Sequence, residues 1–219
     1  MNVPLSLERA MLVQRSRRLN VATMGYNSLE AVLSVLAGIV AGSVALIGFG
    51  LDSLIELIAG AAALWRLSAD AAPSRRERTE RRALLLIGLC FVALALYVGA
   101  EALRSLAAHR APERTLFGIG IAVGSLLVMP WLARAKRGIA LELGSGALAA
   151  EAKQTLICTY LSGILLGGLL LNAMLGWWWA DPVAALAMVP LIGREGIEDL
   201  RGRHGCDDCV CQRGIVTGG

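Results

Sequence analysis

Charge is what this sequence has least of. Lys, Arg, Asp and Glu together make up 17% of its 219 residues, against ~25% in a soluble domain. No Lys or Arg occurs between Asn20 and Leu64, and no charge of either sign between Gln154 and Ala180. A water-facing surface cannot be built from such stretches, which excludes a soluble globular class. Only two histidines are present. Both lie outside the long apolar runs, and there is no Ser/His/Asp arrangement and no phosphate-cradling glycine loop, so an enzyme is not expected. Five cysteines are too few for a disulfide framework. Aromatics are scarce at 5% and the formal charge is only +4. The basic residues sit between apolar runs instead of forming a patch, which argues against a nucleic-acid partner. The first eighteen residues are polar and basic with no small-residue cleavage site after them, so they do not read as a signal peptide.

What is abundant is apolar: 56% of residues, with a mean hydropathy of +0.63. A membrane-crossing helix needs ~20 apolar residues. Six runs are candidates, at about 19–40, 44–67, 83–106, 115–133, 147–171 and 177–191, the last being shorter and interrupted by Pro182 and Pro190. The expected fold is an all-α membrane protein, a six-transmembrane-helix bundle. Residues 1–18 form a cytoplasmic N-terminal segment, 19–200 the helical domain and 201–219 a cytoplasmic Cys-containing tail. Arginines precede the first run, and the links after the second and fourth are strongly basic, the latter holding Arg134, Lys136 and Arg137. The turns after the first and fifth runs have no Lys or Arg. This bias puts both termini in the cytoplasm, which requires an even number of spans, in the cell (inner) membrane. Trp65 and Trp131 fall at inner ends and Trp177, Trp178 and Trp179 at an outer end, as interfacial anchors. The pairs Gly38/Gly42, Gly120/Gly124 and Gly163/Gly167 offer close helix approach.

Two acids stand inside the second run. Asp52 and Glu56 are four residues apart, hence on one helical face at about 6 Å. A charge in hydrocarbon costs at least ~3 kcal/mol on insertion scales, so such acids face a bundle interior. Two carboxylates so close in a low dielectric need a cation or protons between them. That is the chemistry of a cation/proton exchanger. The fifth run offers partners at the same spacing: Gln154, a weak oxygen ligand, and Cys158, whose thiolate suits Zn²⁺ and softer ions. Glu151 lies beside them and reads equally as a site residue or as a snorkelling surface acid. Glu30, midway along the first run, is open to three roles: ligand, proton carrier, or partner of an Arg or Asn such as nearby Asn27. Asp181 is expected to cap the sixth helix, and Arg194 with Glu195 to form a boundary pair. In the tail, His204, Cys206, Cys209 and Cys211 have the types and spacing to capture Zn²⁺ or Cu(I). The alternative is a tail with incidental thiols.

At this point a family resemblance is visible. NSLEAVLSVLAGIVAGSVALIGFGLDSLIELIAG, residues 27–60, resembles the first two helices of the cation diffusion facilitator (cation efflux) family. ALAAEAKQTLIC, residues 147–158, resembles the start of its fifth helix, and WADPVAAL, residues 179–186, its entry to the sixth. The resemblance implies six helices with both termini inside. It also implies a metal site made of two acids on helix two and a His and an Asp on helix five. Asp52 and Glu56 match the first pair; Gln154 and Cys158 stand where the His and Asp would be. The thiol softens the site and the amide weakens it for Zn²⁺. Only about twenty residues follow the last helix. The family's usual ferredoxin-like cytoplasmic domain is therefore not expected, and any homodimer contact falls to the membrane helices.

The expected function is export of a divalent cation, Zn²⁺ or a similar transition metal, from the cytoplasm by proton antiport. Asp52, Glu56 and Cys158 would be direct ligands, Gln154 a weak ligand or orienting donor, and Glu30 a proton relay. The metal is cargo, and no cofactor is expected. The alternative is a non-transporting protein that keeps the fold and senses or sequesters metal, or modulates a partner.

Overall fold

The computed structural model describes residues 5–68, 73–110, 112–143 and 146–201. They form six helices: α1 Leu5–Ala41, α2 Val44–Ser68, α3 Pro73–Ala107, α4 Leu116–Leu143, α5 Gly146–Leu175 and α6 Ala180–Leu200. The six-helix expectation holds, and no strand occurs among the described residues. Several helices outrun their apolar segments. α1 begins fourteen residues before position 19, and α3 takes in the arginine-rich stretch that read as a link. Arg and Glu are good helix formers, so a helix continues past the hydrocarbon boundary until a breaker arrives. Pro73 opens α3, a position where its missing N–H is no loss. α4 likewise runs through Arg134, Lys136 and Arg137, which are helical and not a link.

Among the described residues, five helices are long and apolar enough to cross a membrane: segments Met11–Ala41, Val44–Ala61, Leu85–Ala107, Leu116–Glu142 and Glu151–Leu175. α6 misses that threshold because every eighteen-residue window of it carries at least three charges, from Asp181, Arg194, Glu195, Glu198 and Asp199. Pro182 and Pro190 do not interrupt it. The first sits in the opening turn, where its N–H would be unpaired anyway, and the helix passes through the second.

α1 pairs with α2, α4 with α5 and α3 with α6. Further contacts of α1 with α4 and of α2 with α5 close the first four into a ring. α3 and α6 pack outside it, against α2 and α5. The exterior is apolar: Leu29, Val32, Leu36, Ile39, Leu89, Leu96, Leu103 and Leu127 are all exposed. The interior carries much of the polarity. On α1, Ser16, Asn20, Thr23, Asn27, Glu30 and Ser34 are all buried. Their 4-3-4-3-4 spacing is one continuous face of a helix. This is solvation turned inside out, as lipid requires. The apolar part of the core, with Phe49, Phe91, Val98, Leu161, Leu165 and Met188, lies between α2, α3, α5 and α6.

The α1–α2 hairpin is closed by AGS. Gly42 has φ +66°, the left-handed conformation that Gly adopts without strain. Ser43 N–H donates to Gly38 O at 2.9 Å and Gly42 N–H to Ile39 O at 3.4 Å, the double bond of a Schellman stop. The following helix start is satisfied from two sides. Ser43 Oγ accepts from Leu46 N–H at 3.1 Å, and Asp181 Oδ2 accepts from Val44 N–H at 2.9 Å and Ala45 N–H at 3.5 Å. The Ser43 hydroxyl donates to the other oxygen, Asp181 Oδ1. Asp181 therefore caps α2 and not α6, whose N-cap has no side-chain bond. The sequence shows only that an acid opens a helix; which helix start it serves depends on packing.

Close approach is made by other glycines than the spaced pairs suggest. Of those six only Gly38 is tight; a Cβ there would lie 2.7 Å from Ile47 Cγ1 and 2.8 Å from Ile47 N. Gly120 and Gly167 have open space, and Gly124 and Gly163 only ordinary contacts. The narrow crossings are at Gly50 against Val35 N (2.9 Å), Gly168 against Ala184 Cβ (2.5 Å) and Gly88 against Gly196 O (2.8 Å). A Gly38→Val variant is expected to lose about 1–3 kcal/mol of stability, because the obstructing atom is backbone and cannot rotate away. Gly120→Ala should melt with the wild type. Thermal melts in detergent check both.

Candidate functional site

Asp52 and Glu56 lie on α2, the helix that touches α1, α3, α5 and α6. Both are buried, 3% and 6% exposed. From α1, Asn27 Nδ2 donates to Glu56 Oε2 at 3.0 Å. From α5, the buried Cys158 thiol lies beside the same carboxylate. Among the described residues Glu56 Oε1 and Asn27 Oδ1 have no hydrogen-bond partner. The expected pairing of α2 acids with α5 therefore brings Glu56 and Cys158 together.

Glu30 is buried one helix away. Ser53 Oγ donates to its Oε2 at 2.8 Å, and the Tyr26 and Ser125 hydroxyls face it. Its partners are hydroxyls and not the Asn or Arg of the sequence alternative. Both acids of the α2 pair lie within electrostatic reach of Glu30 across the α1–α2 interface. Among the described residues, no three His, Cys, Asp or Glu side chains converge closely enough to hold a metal ion in this conformation.

A narrow cleft with a cavity volume of about 10 Å³ lies beside Glu56, on the side of the bundle that holds α1's start. Gln154 lines it, with Asn20, Asn27, Lys136 and Glu151. Glu151 is 7% exposed and does not snorkel; Lys136 Nζ sits 2.8 Å from its Oε1. Lys136 itself is 3% exposed. Sequence reasoning placed this lysine among basic link residues. The signal that identifies it is periodicity: Ser125, Met129, Leu132, Ala133, Lys136 and Ala140 share the buried face of α4. The α1 stripe of Asn20 and Thr23 was missed for the same reason: each residue is unremarkable alone.

At the rim, Arg194 pairs with Glu198 at 2.8 Å, and Lys153 with Glu198 and, at 4.0 Å, with Glu195. Arg194 and Glu195 are not partners, since adjacent helical residues diverge. Hydrogen bonds from Lys153 and then Arg194 hold the Glu198 carboxyl down at about 2, so this α5–α6 tie stays ionised throughout the neutral range. At the opposite end Trp177 and Trp179 stack at 4.9 Å and are partly exposed, and Trp178 meets His109 at 4.8 Å. His204, Cys206, Cys209 and Cys211 lie outside the described residues.

A helical bundle with an apolar outside, a polar seam within and carboxylates at its centre is built to sit in a membrane and keep its polar groups away from lipid. The cation efflux transmembrane domain matches residues 22–201. The chain belongs to the cation efflux family, and that domain with its long apolar helices makes it an integral, multi-pass membrane protein. It is 27% identical over 174 residues to the uncharacterized transporter sll1263 of Synechocystis sp., covering 77% of this chain and 54% of that protein. The chain thus spans about half the length of the relative it matches.

Proposed function

We propose that this protein exports a divalent transition-metal ion, Zn²⁺ or one of similar softness, from the cytoplasm of a cell whose inner membrane it spans, in exchange for protons. The observation that carries the reading is the buried Asp52–Glu56 pair, with the Cys158 thiol beside Glu56 and one Glu56 oxygen unpartnered. Asp52, Glu56 and Cys158 are the direct ligands. Gln154, at the mouth of the cleft, is a weak ligand or orienting donor. Rotation of the Asn27 amide would turn its unpartnered Oδ1 toward the ion, replacing a donor to Glu56 by an acceptor for metal. Glu30, wrapped in hydroxyls, carries protons to and from the pair.

Metal enters from the cytoplasmic side through the cleft and binds the deprotonated ligands. It releases protons as it does so, because the protonated forms do not bind. Rocking of the helices then exposes the pair to the other side, where protons displace the ion.

The test is flux. Purified protein in liposomes with an imposed pH gradient should accumulate Zn²⁺ or Cd²⁺ against its own gradient. One pH unit sustains about tenfold accumulation for each proton exchanged, and about a hundredfold for two. Dissipating the gradient with an ionophore should abolish accumulation. Uptake indifferent to the gradient would remove the antiport, and no uptake of any divalent metal would remove transport.

A further inference from the structure

The central pair does not account for a second charged group in the same cleft. The Glu151 carboxylate of α5 is held by two side chains from two other helices: Lys136 Nζ of α4 donates to Oε1 at 2.8 Å and Asn20 Nδ2 of α1 to Oε2 at 3.0 Å. The same ammonium also donates to Thr155 Oγ1 at 3.2 Å. All four residues are buried, none more than 7% exposed. A buried ion pair of this kind seldom repays its desolvation, so stability alone does not account for it.

Two further facts point to a ligand. Asn20 lines the cleft and is only 1% exposed, and its Oδ1 has no partner among the described residues. Glu56 and Asn27 line the same cleft, and each also has an oxygen without a partner among the described residues. The acceptors in excess are therefore oxygens, and the positive charge that lines the cleft among the described residues is the Lys136 ammonium, on a four-carbon stem. Lys136 is close enough to Glu56 for their charges to interact. A side chain of that length and flexibility can exchange one carboxylate for another.

We propose that Glu151 and Asn20 form a second cation site, on the entry side of Asp52 and Glu56, and that the Lys136 ammonium is its tethered occupant, displaced by an incoming divalent ion. The site is hard, with oxygen donors only, and takes a partly hydrated divalent cation in transit. While Lys136 is seated, its charge repels a dication from the cleft. Only an ion that gains enough from Glu151 to expel the ammonium proceeds, and the expelled lysine closes the path behind it. This deepens the transport reading and rests on it for the direction of travel, although the site itself can be tested without transport.

Equilibrium dialysis of the purified full-length protein against Mn²⁺, an ion suited to oxygen donors, provides that test. In an Asp52→Asn/Glu56→Gln background the central pair is gone, and little Mn²⁺ should bind. Adding Lys136→Met vacates the entry site and should restore one bound Mn²⁺ per chain. Adding Glu151→Gln as well should remove it again. No recovery with Lys136→Met, or Mn²⁺ retained after Glu151→Gln, overturns the proposal.

Lys136→Met strands a buried carboxylate and can fail to fold, so flux supplies a second readout. Glu151→Gln and the charge-neutral Lys136→Met/Glu151→Gln double variant should each raise the metal concentration for half-maximal transport about tenfold. Their maximal rates should stay within about twofold of wild type, because the central ligands are intact. A purely structural ion pair would lower the amount of active protein without moving half-saturation, and that result also overturns the proposal. Loss of central-site transport would instead show in the Asp52 and Glu56 variants alone, so the two failures are distinguishable.

Discussion

A Glu56→Gln variant is expected to lose metal flux by at least about 100-fold while remaining folded. Partners that merely orient a metal ligand are worth 10–100-fold in affinity, so a direct, charged ligand should cost at least the upper figure. The change is close to isosteric. The oxygen that accepts from Asn27 Nδ2 at 3.0 Å is kept, and the second position becomes an amide. A neutral amide costs less to bury than a carboxylate, so the variant should melt no lower than wild type. That combination of inactivity with undiminished stability separates loss of a ligand from loss of structure. Asp52→Asn should behave in the same way. Flux in both variants within about threefold of wild type would sink the assignment of this pair. A drop in Glu56→Gln alone would place the ion between Glu56 and Cys158 and leave Asp52 to the protons.

The second large effect is expected far from that pair. Asp181→Ala should lower stability by about 2–4 kcal/mol. Its carboxylate accepts from the Ser43 hydroxyl and from Val44 and Ala45 N–H, all buried. Bonds to a charged acceptor contribute about 1.5–3 kcal/mol each and are not additive, and truncation leaves donors with no water to turn to. The acid also sits at the positive end of the α2 dipole. For a chain of this size the loss corresponds to roughly 6–12 °C in Tm, read in detergent. Ser43→Ala should cost about 1 kcal/mol, since Asp181 still holds the two N–H groups. A melt for Asp181→Ala within about 2 °C of wild type would show that the cap is not what holds α2 to α6.

These residues differ in how far the chain alone reveals them. Asp52 and Glu56 stand out because they break an apolar run, and a periodicity of four puts them on one face. The helix count was equally plain, because hydrocarbon thickness imposes a length that composition displays. Helix ends were not, since hydropathy reports where lipid stops and not where hydrogen bonding stops; α3 keeps its ladder through a run of arginines. Lys136 was hidden by its neighbours. Arg134 and Arg137 make it look like part of a basic border, and only the phase of α4 turns it inward. Asp181 was legible as a cap but not as a cap for a helix 138 residues earlier, as its bond with Ser43 requires. The glycine pairs show the same limit. Spacing can mark a face where helices could approach, but Gly50, Gly88 and Gly168 are tight only because of what packs against them.

The inside-out distribution of polarity bears on how the chain is made. A single helix carrying Asp52 and Glu56, or Lys136, or Glu151 would meet hydrocarbon at ~2.5–3.5 kcal/mol per charge during biosynthesis. Glu56, Lys136 and Glu151 have partners on the neighbouring segment of the chain. Asn27 and Glu30 of α1 engage Glu56 and Ser53 of α2, and Lys136 of α4 engages Glu151 of α5. α1 with α2, and α4 with α5, can therefore leave the insertion machinery as hairpins with these groups already matched. α3 must wait for α6 before Gly88, which meets Gly196, is covered. The order of synthesis thus delivers the ring first and the outer pair last.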